Sequence, residues 1–312
     1  MIGRLGLSRR ALLAGLGLPA LTACNEGGGP VSSGASGMAE QVLRIPVPAE
    51  RGGAERVELE ATLFRPAGPG PFPLLVMNHG QPASFAQFRT MELERFPLAS
   101  RLFVEEGYAV LLPMRRGFGN SGGAFRGGSG PCGALNPLNG ADVAADDIEA
   151  VRTWAMMNLP FLDSRRTVLA GQSAGGYGSI SAGSRAEGGI AGVINFAGGL
   201  RAGSTVSTTG SVQLCDGWQD AVADSFEAMG RRPGARGLPT LWLYAVNDSF
   251  FGYGLGRRFS EAYVRGGGRA RFVELPSIGR DGHSFIRDPA SVSLWGGSVR
   301  SFLADLRGQA RA

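Results

Sequence analysis

The sequence predicts an α/β fold with a mostly parallel central sheet and helices on both faces. Short apolar runs, typical of strands buried on both sides, alternate along the chain with stretches of helical spacing. The chain has 312 residues, a length that one large α/β domain with insertions accommodates. Apolar residues make up 43% and charged residues 18%, a balance typical of a globular protein with a substantial core.

Strands and helices are predicted in alternation. The predicted strands are 57–64, 73–78, 109–113, 167–171, 191–196, 240–245 and 270–275. The predicted helices between them include 96–107, 142–157 and 174–186, and shorter helical stretches follow toward the C-terminus. Because a strand that follows a crossover helix lies parallel to the strand before it, this order predicts a parallel sheet.

The charge of the chain does not indicate a nucleic-acid partner. The formal net charge is +5 and the pI about 9.6, and every basic side chain other than histidine is an arginine. The arginines are scattered and form no basic face, so we expect no nucleic-acid binding. No apolar run after the first thirty residues is long enough to span a bilayer.

The N-terminus has three successive parts: Arg9-Arg10, an apolar run over 11–21, and the sequence Leu-Thr-Ala-Cys ending at Cys24. This arrangement resembles a bacterial twin-arginine export signal that ends in a lipoprotein box. The resemblance implies that residues 1–23 are removed and that Cys24 is acylated. An ordinary secretory signal with a chance cysteine is the alternative.

A lipid anchor would be followed by a tether. Residues 24–41 are dominated by Gly, Ser and Pro and have no periodicity, so they are predicted to be flexible, with a single folded domain over 42–312. Acylated Cys24 would then hold the domain on a membrane, facing the periplasm or the cell exterior. In an oxidising compartment Cys132 and Cys215 are candidates for a disulfide, and two separate thiols are the alternative.

The pattern Gly-x-Ser-x-Gly occurs twice, around Ser121 and around Ser173. A nucleophilic serine of this kind sits on a tight turn between a strand and a helix. Ser173 follows the predicted strand 167–171 and precedes a stretch of small, helix-compatible residues. Ser121 lies in a long glycine loop with no helix directly behind it. The context therefore favours Ser173 as the nucleophile and leaves Ser121 as a loop residue, near the pocket or solvated.

A serine nucleophile needs a base and an acid that orients the base. In α/β folds that carry a serine on such a strand-to-helix turn, the order along the chain is nucleophile, acid, histidine. The two histidines are His79, which precedes Ser173, and His283, which follows it, so His283 fits the order. Asp248 comes just after the predicted strand 240–245 and is the expected acid. Asp281, two residues before His283, is the rival.

These motifs together resemble the α/β-hydrolase superfamily, and within it the dienelactone-hydrolase-like proteins and related exported esterases or peptidases. The resemblance covers about 57–307 and is carried by Asn-His-Gly-Gln at 78–81, the loop at 115–123, Gly-Gln-Ser-Ala-Gly-Gly at 171–176, the acid loop, and Gly-His-Ser-Phe at 282–285. Dienelactone hydrolases proper use a cysteine nucleophile. A serine in this position argues against dienelactone as the substrate and favours ester-type acyl transfer.

The resemblance also implies the two donors of an oxyanion hole. One is the N–H of Ala174, the residue after the nucleophile. The other lies in the loop after strand 73–78, where Gln81 is the choice because Pro82 has no N–H. His79 is then expected to brace this loop as a structural histidine.

An insertion after the sixth strand, in the superfamily's strand count, usually forms a lid, and residues 198–238 occupy that place. Trp218 and Phe226 either line the acyl site or form the core of the lid. A Cys132–Cys215 disulfide would join the lid to the glycine loop. Arg116 in that loop either binds a substrate carboxylate or pairs with a local acid, which is the commoner case.

The sequence therefore predicts a serine hydrolase that cleaves small-molecule carboxylic esters through Ser173, Asp248 and His283. A serine peptidase or amidase acting on short peptides is the alternative within enzymes. A non-catalytic binding lipoprotein on the same scaffold is the alternative from another class, although such proteins usually lose a member of the triad. No cofactor is expected, and two histidines in separate loops predict no metal site.

Overall fold

A computed structural model of the chain describes residues 32–33, 38–82, 84–186, 188–206 and 212–309. The predicted signal segment 1–23, with Cys24, lies outside these residues, as does most of the predicted tether.

Strands and helices alternate through the described residues. The strands are β1 (Ser32–Ser33), β2 (Ala39–Pro48), β3 (Arg56–Phe64), β4 (Phe72–Asn78), β5 (Ala109–Pro113), β6 (Leu162–Gln172), β7 (Ile190–Phe196), β8 (Gly203–Val206), β9 (Val212–Leu214), β10 (Pro239–Ala245) and β11 (Arg269–Leu275). The α-helices are α1 (Pro97–Glu105), α2 (Pro137–Asn158), α3 (Ala174–Arg185), α4 (Trp218–Arg231), α5 (Leu255–Arg265) and α6 (Val292–Gln309). All seven predicted strands are present.

Nine of these strands form one sheet in the order β1-β2-β3-β5-β4-β6-β7-β10-β11. The pairs from β1 to β5 are antiparallel, and every pair from β5 to β11 is parallel. The predicted fold class is confirmed: a mostly parallel sheet flanked by helices. Because β4, β6 and β10 are parallel, their carboxyl ends share one edge of the sheet, and the loops that leave this edge carry the predicted site residues.

One strand lies partly in the segment predicted as a tether. β2 begins at Ala39 and pairs along its whole length with β3, from Glu40 opposite Phe64 to Pro48 opposite Arg56. Its burial alternates, with Leu43 and Ile45 among the buried side chains. β1 covers only the first two residues of β2, so the rest of β2 is an edge strand, where a proline without an N–H is tolerated.

The region predicted as a lid, 198–238, lies between β7 and β10. It contains the separate β8–β9 hairpin and helix α4. Phe226 of α4 is fully buried against Tyr177 and Trp242, and Trp218 packs beside Phe251. Of the two roles left open for these aromatic residues, the structure gives both a place in the hydrophobic core.

A disulfide joins Cys132 and Cys215, whose Cα atoms lie 5.1 Å apart. Cys132 belongs to the loop before α2, and Cys215 lies between β9 and α4. The bond therefore ties the glycine loop to the region between β7 and β10.

None of the helices in the described ranges is both long enough and apolar enough to cross a bilayer.

Candidate active site

Ser173 occupies the turn between β6 and α3 with a strained backbone. Its φ of 54° and ψ of −126° lie outside the regions that non-glycine residues normally adopt. Its N–H donates to the carbonyl of Phe196, and its carbonyl accepts from the N–H of Tyr177, the first turn of α3. These bonds hold the strained turn, and the Ser173 side chain projects from the sheet edge while remaining partly exposed.

The glycines that flank Ser173 are required by close backbone contacts. A Cβ on Gly171 would lie 2.4 Å from the carbonyl carbon of Gly175, and a Cβ on Gly175 would lie 2.2 Å from the carbonyl oxygen of Asn78. Real Cβ atoms do not approach backbone this closely, so any larger residue would force the turn or β4 to move. The tight turn between a strand and a helix that was predicted around Ser173, called the elbow below, is present.

A chain of hydrogen bonds connects Ser173 to His283 and Asp248. The Ser173 Oγ lies 3.0 Å from Nε2 of His283, and Nδ1 of His283 lies 3.1 Å from each carboxylate oxygen of Asp248. In the neutral tautomer with the proton on Nδ1, the imidazole donates to Asp248 and accepts from Ser173. The structure thus brings together the three side chains that the sequence predicts for catalysis.

The position of Asp248 is set by its own turn after β10. Its Oδ1 accepts the N–H groups of Phe250 and Phe251 at 2.7 and 2.9 Å. The side chain is fully buried, and its oxygens have backbone donors as well as the imidazole. A buried carboxylate satisfied in this way can orient a histidine without itself taking a proton.

The rival carboxylate, Asp281, serves the backbone instead. Its Oδ1 accepts from the N–H groups of His283 and Ser249, and its Oδ2 accepts from the Ser249 hydroxyl at 2.7 Å. Burial raises the pKa of Asp281, but these hydrogen bonds outweigh it, and the net shift is downward. Asp281 therefore joins the loop that contains Asp248 to the loop that contains His283. Asp248 is the carboxylate that contacts the imidazole ring.

Two aromatic rings that the sequence analysis did not single out enclose the imidazole. Phe250 stacks on His283 with ring centroids 4.2 Å apart, and Phe251 meets it edge-on at 5.4 Å. The guanidinium of Arg201 lies over the Phe250 ring. The adjacent phenylalanines two and three residues after Asp248 were the sequence signal for this packing.

His79 braces the loop after β4 through both ring nitrogens. Its Nε2 accepts the backbone N–H of Arg115 at 3.0 Å, so the ring proton sits on Nδ1 and is donated to the Gly80 carbonyl at 2.6 Å. Complete burial, assisted by the Arg115 charge, lowers the pKa of His79 well below its usual value. His79 is therefore a neutral structural histidine, in the role expected for it.

Arg115 holds the same loop through its guanidinium group. Its guanidinium donates to the carbonyls of His79 and Gly80, at 2.5 and 3.3 Å. The carbonyl of Gly80 and the N–H of Gln81 belong to one trans peptide and point in opposite directions. Because His79 and Arg115 both bond that carbonyl, they fix the direction of the Gln81 N–H.

The two residues expected to supply the oxyanion hole line one pocket. Gln81 and Ala174 both border one pocket, which is partly open to solvent. Ala174 is the first residue of α3, so its N–H has no acceptor within the helix. Gly80 lies against the elbow, because a Cβ there would come within 3.2 Å of the Ser173 Cβ. The two residues expected to supply the oxyanion donors thus border the same pocket, next to the turn of Ser173.

The glycine loop contains two residues with structural roles. Ser121 is almost completely buried; its hydroxyl donates to the Met114 carbonyl and accepts the N–H of Glu60. Ser121 is a loop residue, as expected, but the alternative of a solvated side chain was wrong. Arg116 pairs with Asp147 through its side chain and its backbone N–H, the commoner of the two roles considered for it.

In the part of the chain that the structure describes, no group of three or more histidine, cysteine, aspartate or glutamate side chains is arranged to hold a metal ion.

Solved structures share this fold at low sequence identity. A proposed dienelactone hydrolase from Klebsiella pneumoniae has 16% identity and a TM-score of 0.54, with 86% of this chain and 99% of that chain covered. Est1E from Butyrivibrio proteoclasticus, solved with ferulic acid, has 18% identity and a TM-score of 0.57, covering 85% and 99%. The α/β-hydrolase resemblance is confirmed at the level of the fold.

A peptidase has the same fold as part of a larger chain. Dipeptidyl peptidase 4 from Porphyromonas gingivalis has 18% identity and a TM-score of 0.59; the match covers 86% of this chain but only 35% of that one. No curated protein matches the sequence.

A family model places the sequence more specifically than these folds do. The model described as X-Pro dipeptidyl-peptidase (S15 family) matches residues 53–249. The matched range includes both Ser173 and Asp248, and it covers more than half of the chain. The protein is therefore an α/β-fold hydrolase that belongs to the X-Pro dipeptidyl-peptidase (S15) family.

Proposed function

We propose that the protein is a serine hydrolase that cleaves carboxylic esters through an acyl-enzyme intermediate. The observation that carries this proposal is the hydrogen-bond chain from Ser173 through His283 to Asp248, with Ser173 held in a strained turn at the start of α3. Nucleophile, base and orienting acid in this geometry are what acyl transfer requires.

The first half of the reaction transfers the acyl group to the serine. Ser173 Oγ attacks the acyl carbon while its proton passes to Nε2 of His283, and the carbonyl electrons move onto the oxygen. The N–H groups of Gln81 and Ala174 stabilise that oxyanion. Collapse of the intermediate expels the alcohol, which takes the proton from Nε2.

The second half reverses these roles with water. His283 removes a proton from a water molecule that attacks the acyl-enzyme, and the acid product leaves as the proton returns to Ser173. Asp248 accepts a hydrogen bond from Nδ1 throughout and stabilises the imidazolium in both halves. The adjacent Phe250 ring face favours the same cation.

A peptidase that releases dipeptides is the second candidate, and the family match supports it. Dipeptide release from a free N-terminus requires a place for an α-ammonium group. Among the residues that line the pocket beside Ala174, the carboxylate is Asp147, and Arg116 already engages it. Arg115 and Arg126 also line this pocket. This charge balance favours neutral or anionic acyl groups over one that carries an α-ammonium group, and it therefore argues against dipeptide release.

Two measurements test the proposal. A fluorophosphonate probe followed by intact-mass spectrometry is expected to give one adduct on the wild-type protein and none on Ser173→Ala. p-Nitrophenyl esters from acetate to octanoate are then compared with Ala-Pro-p-nitroanilide. We expect ester kcat/KM to exceed that of the anilide by more than about tenfold, after allowance for the chemical reactivity of each leaving group from the uncatalysed rates.

The outcomes separate the candidates. Anilide hydrolysis that dominates after this correction would replace the esterase by the peptidase. A folded wild-type protein that takes no probe and hydrolyses neither class would support the non-catalytic binding protein instead.

Export and membrane anchoring are a separate part of the proposal. The sequence over 1–24, with Arg9-Arg10 and Leu-Thr-Ala-Cys, supports removal of residues 1–23 and acylation of Cys24. Wild-type protein is expected in the membrane fraction and Cys24→Ala in the soluble fraction. Wild-type protein found unacylated in the soluble fraction would contradict it.

A further inference from the structure

The pocket beside Ser173 is placed to receive the acyl half of an ester. It is lined by Gln81 and by Ala174, the residue directly after Ser173, which are the proposed oxyanion donors, whereas neither the Ser173 nor the His283 side chain lines it. The leaving alcohol must take its proton from Nε2 of His283 and therefore lies on the His283 side. The acyl group extends in the other direction, into this pocket. This step rests on the proposed function.

Most of the pocket wall is apolar. Phe118, Phe125, Tyr177, Val143 and Leu200 line it, and the Tyr177 hydroxyl is occupied by Ser225. Such a wall favours a hydrocarbon or aromatic body in the acyl group.

Arg115 lines the same pocket as a buried cation without a carboxylate partner. Only 4% of this residue is exposed, and no carboxylate of the described residues lies within 4 Å of its guanidinium. Burial lowers the pKa of Arg115 to about 10, with the charge of Asp147 opposing the shift, so the group stays protonated at neutral pH. A buried charge without a counter-ion is unfavourable, and it marks a place where an anion binds.

The other charged groups of the pocket do not neutralise this cation. Asp147 accepts both its side-chain and backbone bonds from Arg116 and forms a closed pair with it. Arg126 lies 3.5 Å from Glu50, which is largely exposed, so that pair is weak. The pocket therefore has a net positive wall.

Arg115 also has a donor to spare. Its Nη1 and Nη2 bond the His79 and Gly80 carbonyls, but its Nε–H has no acceptor among the described residues. A guanidinium in this position presents a directed donor as well as a charge.

We propose that this pocket selects acyl groups that end in a carboxylate, so that the preferred substrates are half-esters of dicarboxylic acids with a short apolar spacer. Arg115 binds the carboxylate inside the pocket, and Arg126 attracts it at the rim. The apolar wall packs against the spacer.

The test compares two substrates that differ in charge and not in shape. The mono-p-nitrophenyl ester of glutaric acid carries a terminal carboxylate, and its isosteric counterpart carries a carboxamide there. We expect wild-type kcat/KM to be at least about tenfold higher for the carboxylate, the scale of a hydrogen bond to a charged group. Equal rates, or a preference for the carboxamide, would overturn the proposal while leaving the ester hydrolase intact.

Variants assign the selectivity to residues. Arg115→Met is expected to bring the carboxylate-to-carboxamide ratio close to one, and Arg115→Lys to retain most of it. Because both substrates carry the same reacting ester, and each enzymatic rate is corrected for the uncatalysed rate of its own substrate, this ratio is unaffected by a general loss of activity. Arg126→Gln is expected to lower the ratio about threefold, whereas Arg165→Gln, at the far end of β6, serves as a matched control. A ratio unchanged in Arg115→Met would also overturn the proposal.

Binding without turnover gives an independent answer if no ester is hydrolysed. Monomethyl glutarate and its carboxamide counterpart are titrated calorimetrically into Ser173→Ala. Tighter binding of the carboxylate, lost in the Ser173→Ala, Arg115→Met double variant, supports the pocket. Equal binding refutes it.

Discussion

Ser173 and Ser121 satisfy the same three-residue pattern and have opposite surroundings. Ser173 has a φ of 54°, begins a helix, and presents its hydroxyl to His283. Ser121 is 1% exposed, and its hydroxyl bridges Glu60 and Met114. The Ser173 hydroxyl bonds the imidazole of His283, whereas the Ser121 hydroxyl bonds only backbone groups. The pattern acquires chemical meaning only from the strand before it and the helix after it.

The flanking glycines differ in the same way. Gly171 and Gly175 are needed because neighbouring backbone leaves no room for a Cβ. Gly119 and Gly123 both have positive φ, at 51° and 74°. A Cβ on Gly119 would lie 2.8 Å from the Met91 carbonyl oxygen, whereas a Cβ on Gly123 would meet its nearest neighbour at 3.4 Å, an ordinary contact. Close packing explains the first pair, and backbone conformation contributes to the second.

The largest expected effect separates the two serines directly. Ser173→Ala should lower kcat for p-nitrophenyl butyrate by at least about 10⁴-fold, because the nucleophile is lost. Ser121→Ala should retain kcat within about tenfold but lower the free energy of unfolding by about 1–3 kcal/mol, since two buried backbone groups lose a partner. Steady-state kinetics and urea unfolding measure the two. Loss of turnover in Ser121→Ala at full stability would break the comparison.

A second contrast concerns what makes Ser173 reactive. Asp248→Asn should lower kcat by about 10⁴-fold, because an asparagine can favour the wrong imidazole tautomer. Asp281→Asn should lower it less than about tenfold, because Asp281 bonds the backbone and not the ring. Both variants are measured with the same ester at a pH where the wild-type rate is constant. Similar losses in the two would mean that the carboxylates share the role.

The glycines give a smaller effect, in stability. Gly175→Ala should lower the free energy of unfolding by about 3 kcal/mol or more, because the new Cβ meets backbone at 2.2 Å. Gly123→Ala should cost about 1 kcal/mol, the penalty of a positive φ with ordinary contacts. Urea unfolding with a common m-value compares them. The reverse order would show that the elbow relaxes more easily than the glycine loop.

The smallest expected effect involves His79, which braces the loop after β4 against the loop that contains Ser121. Its pKa is depressed in the folded protein, so the unfolded chain binds a proton that the folded one does not. Stability contributed by neutral His79 is present above about pH 6.5 and falls as the pH decreases, by up to about 1.4 kcal/mol per pH unit. His79→Gln should lack this part of the slope. Unfolding at pH 7.5, 6.0 and 5.0 measures it, and parallel slopes would contradict the prediction.

The buried strands and the three candidate catalytic residues were predictable because they follow local rules. Parallel strands are short apolar runs, and residues just after their carboxyl ends meet at one edge. These rules were enough to predict that Ser173, Asp248 and His283 lie close together. β2 was not predicted, because Pro46 and Pro48 argue against a strand unless it lies at an edge.

Side-chain direction within a loop was not predictable. Arg115 and Arg116 are adjacent in sequence, yet Arg116 pairs with Asp147 and Arg115 bonds the loop of His79. Arg116 was a candidate from the sequence for binding a substrate carboxylate, and Arg115 was not. Which of two neighbouring arginines pairs with a carboxylate depends on the loop conformation, and composition does not encode that conformation.

The Cys132–Cys215 bond makes the folded chain a closed ring with two tails. The ring spans a sequence separation of 83 and contains Ser173, whereas Asp248 and His283 lie on the C-terminal tail. A single proteolytic cut between the two cysteines therefore releases no fragment while the disulfide is intact. A cut between Cys215 and Asp248 would separate the nucleophile from both of its partners. The consequence of a single cut is thus unequal along the chain, and the segment that carries the serine stays covalently attached wherever it is cut.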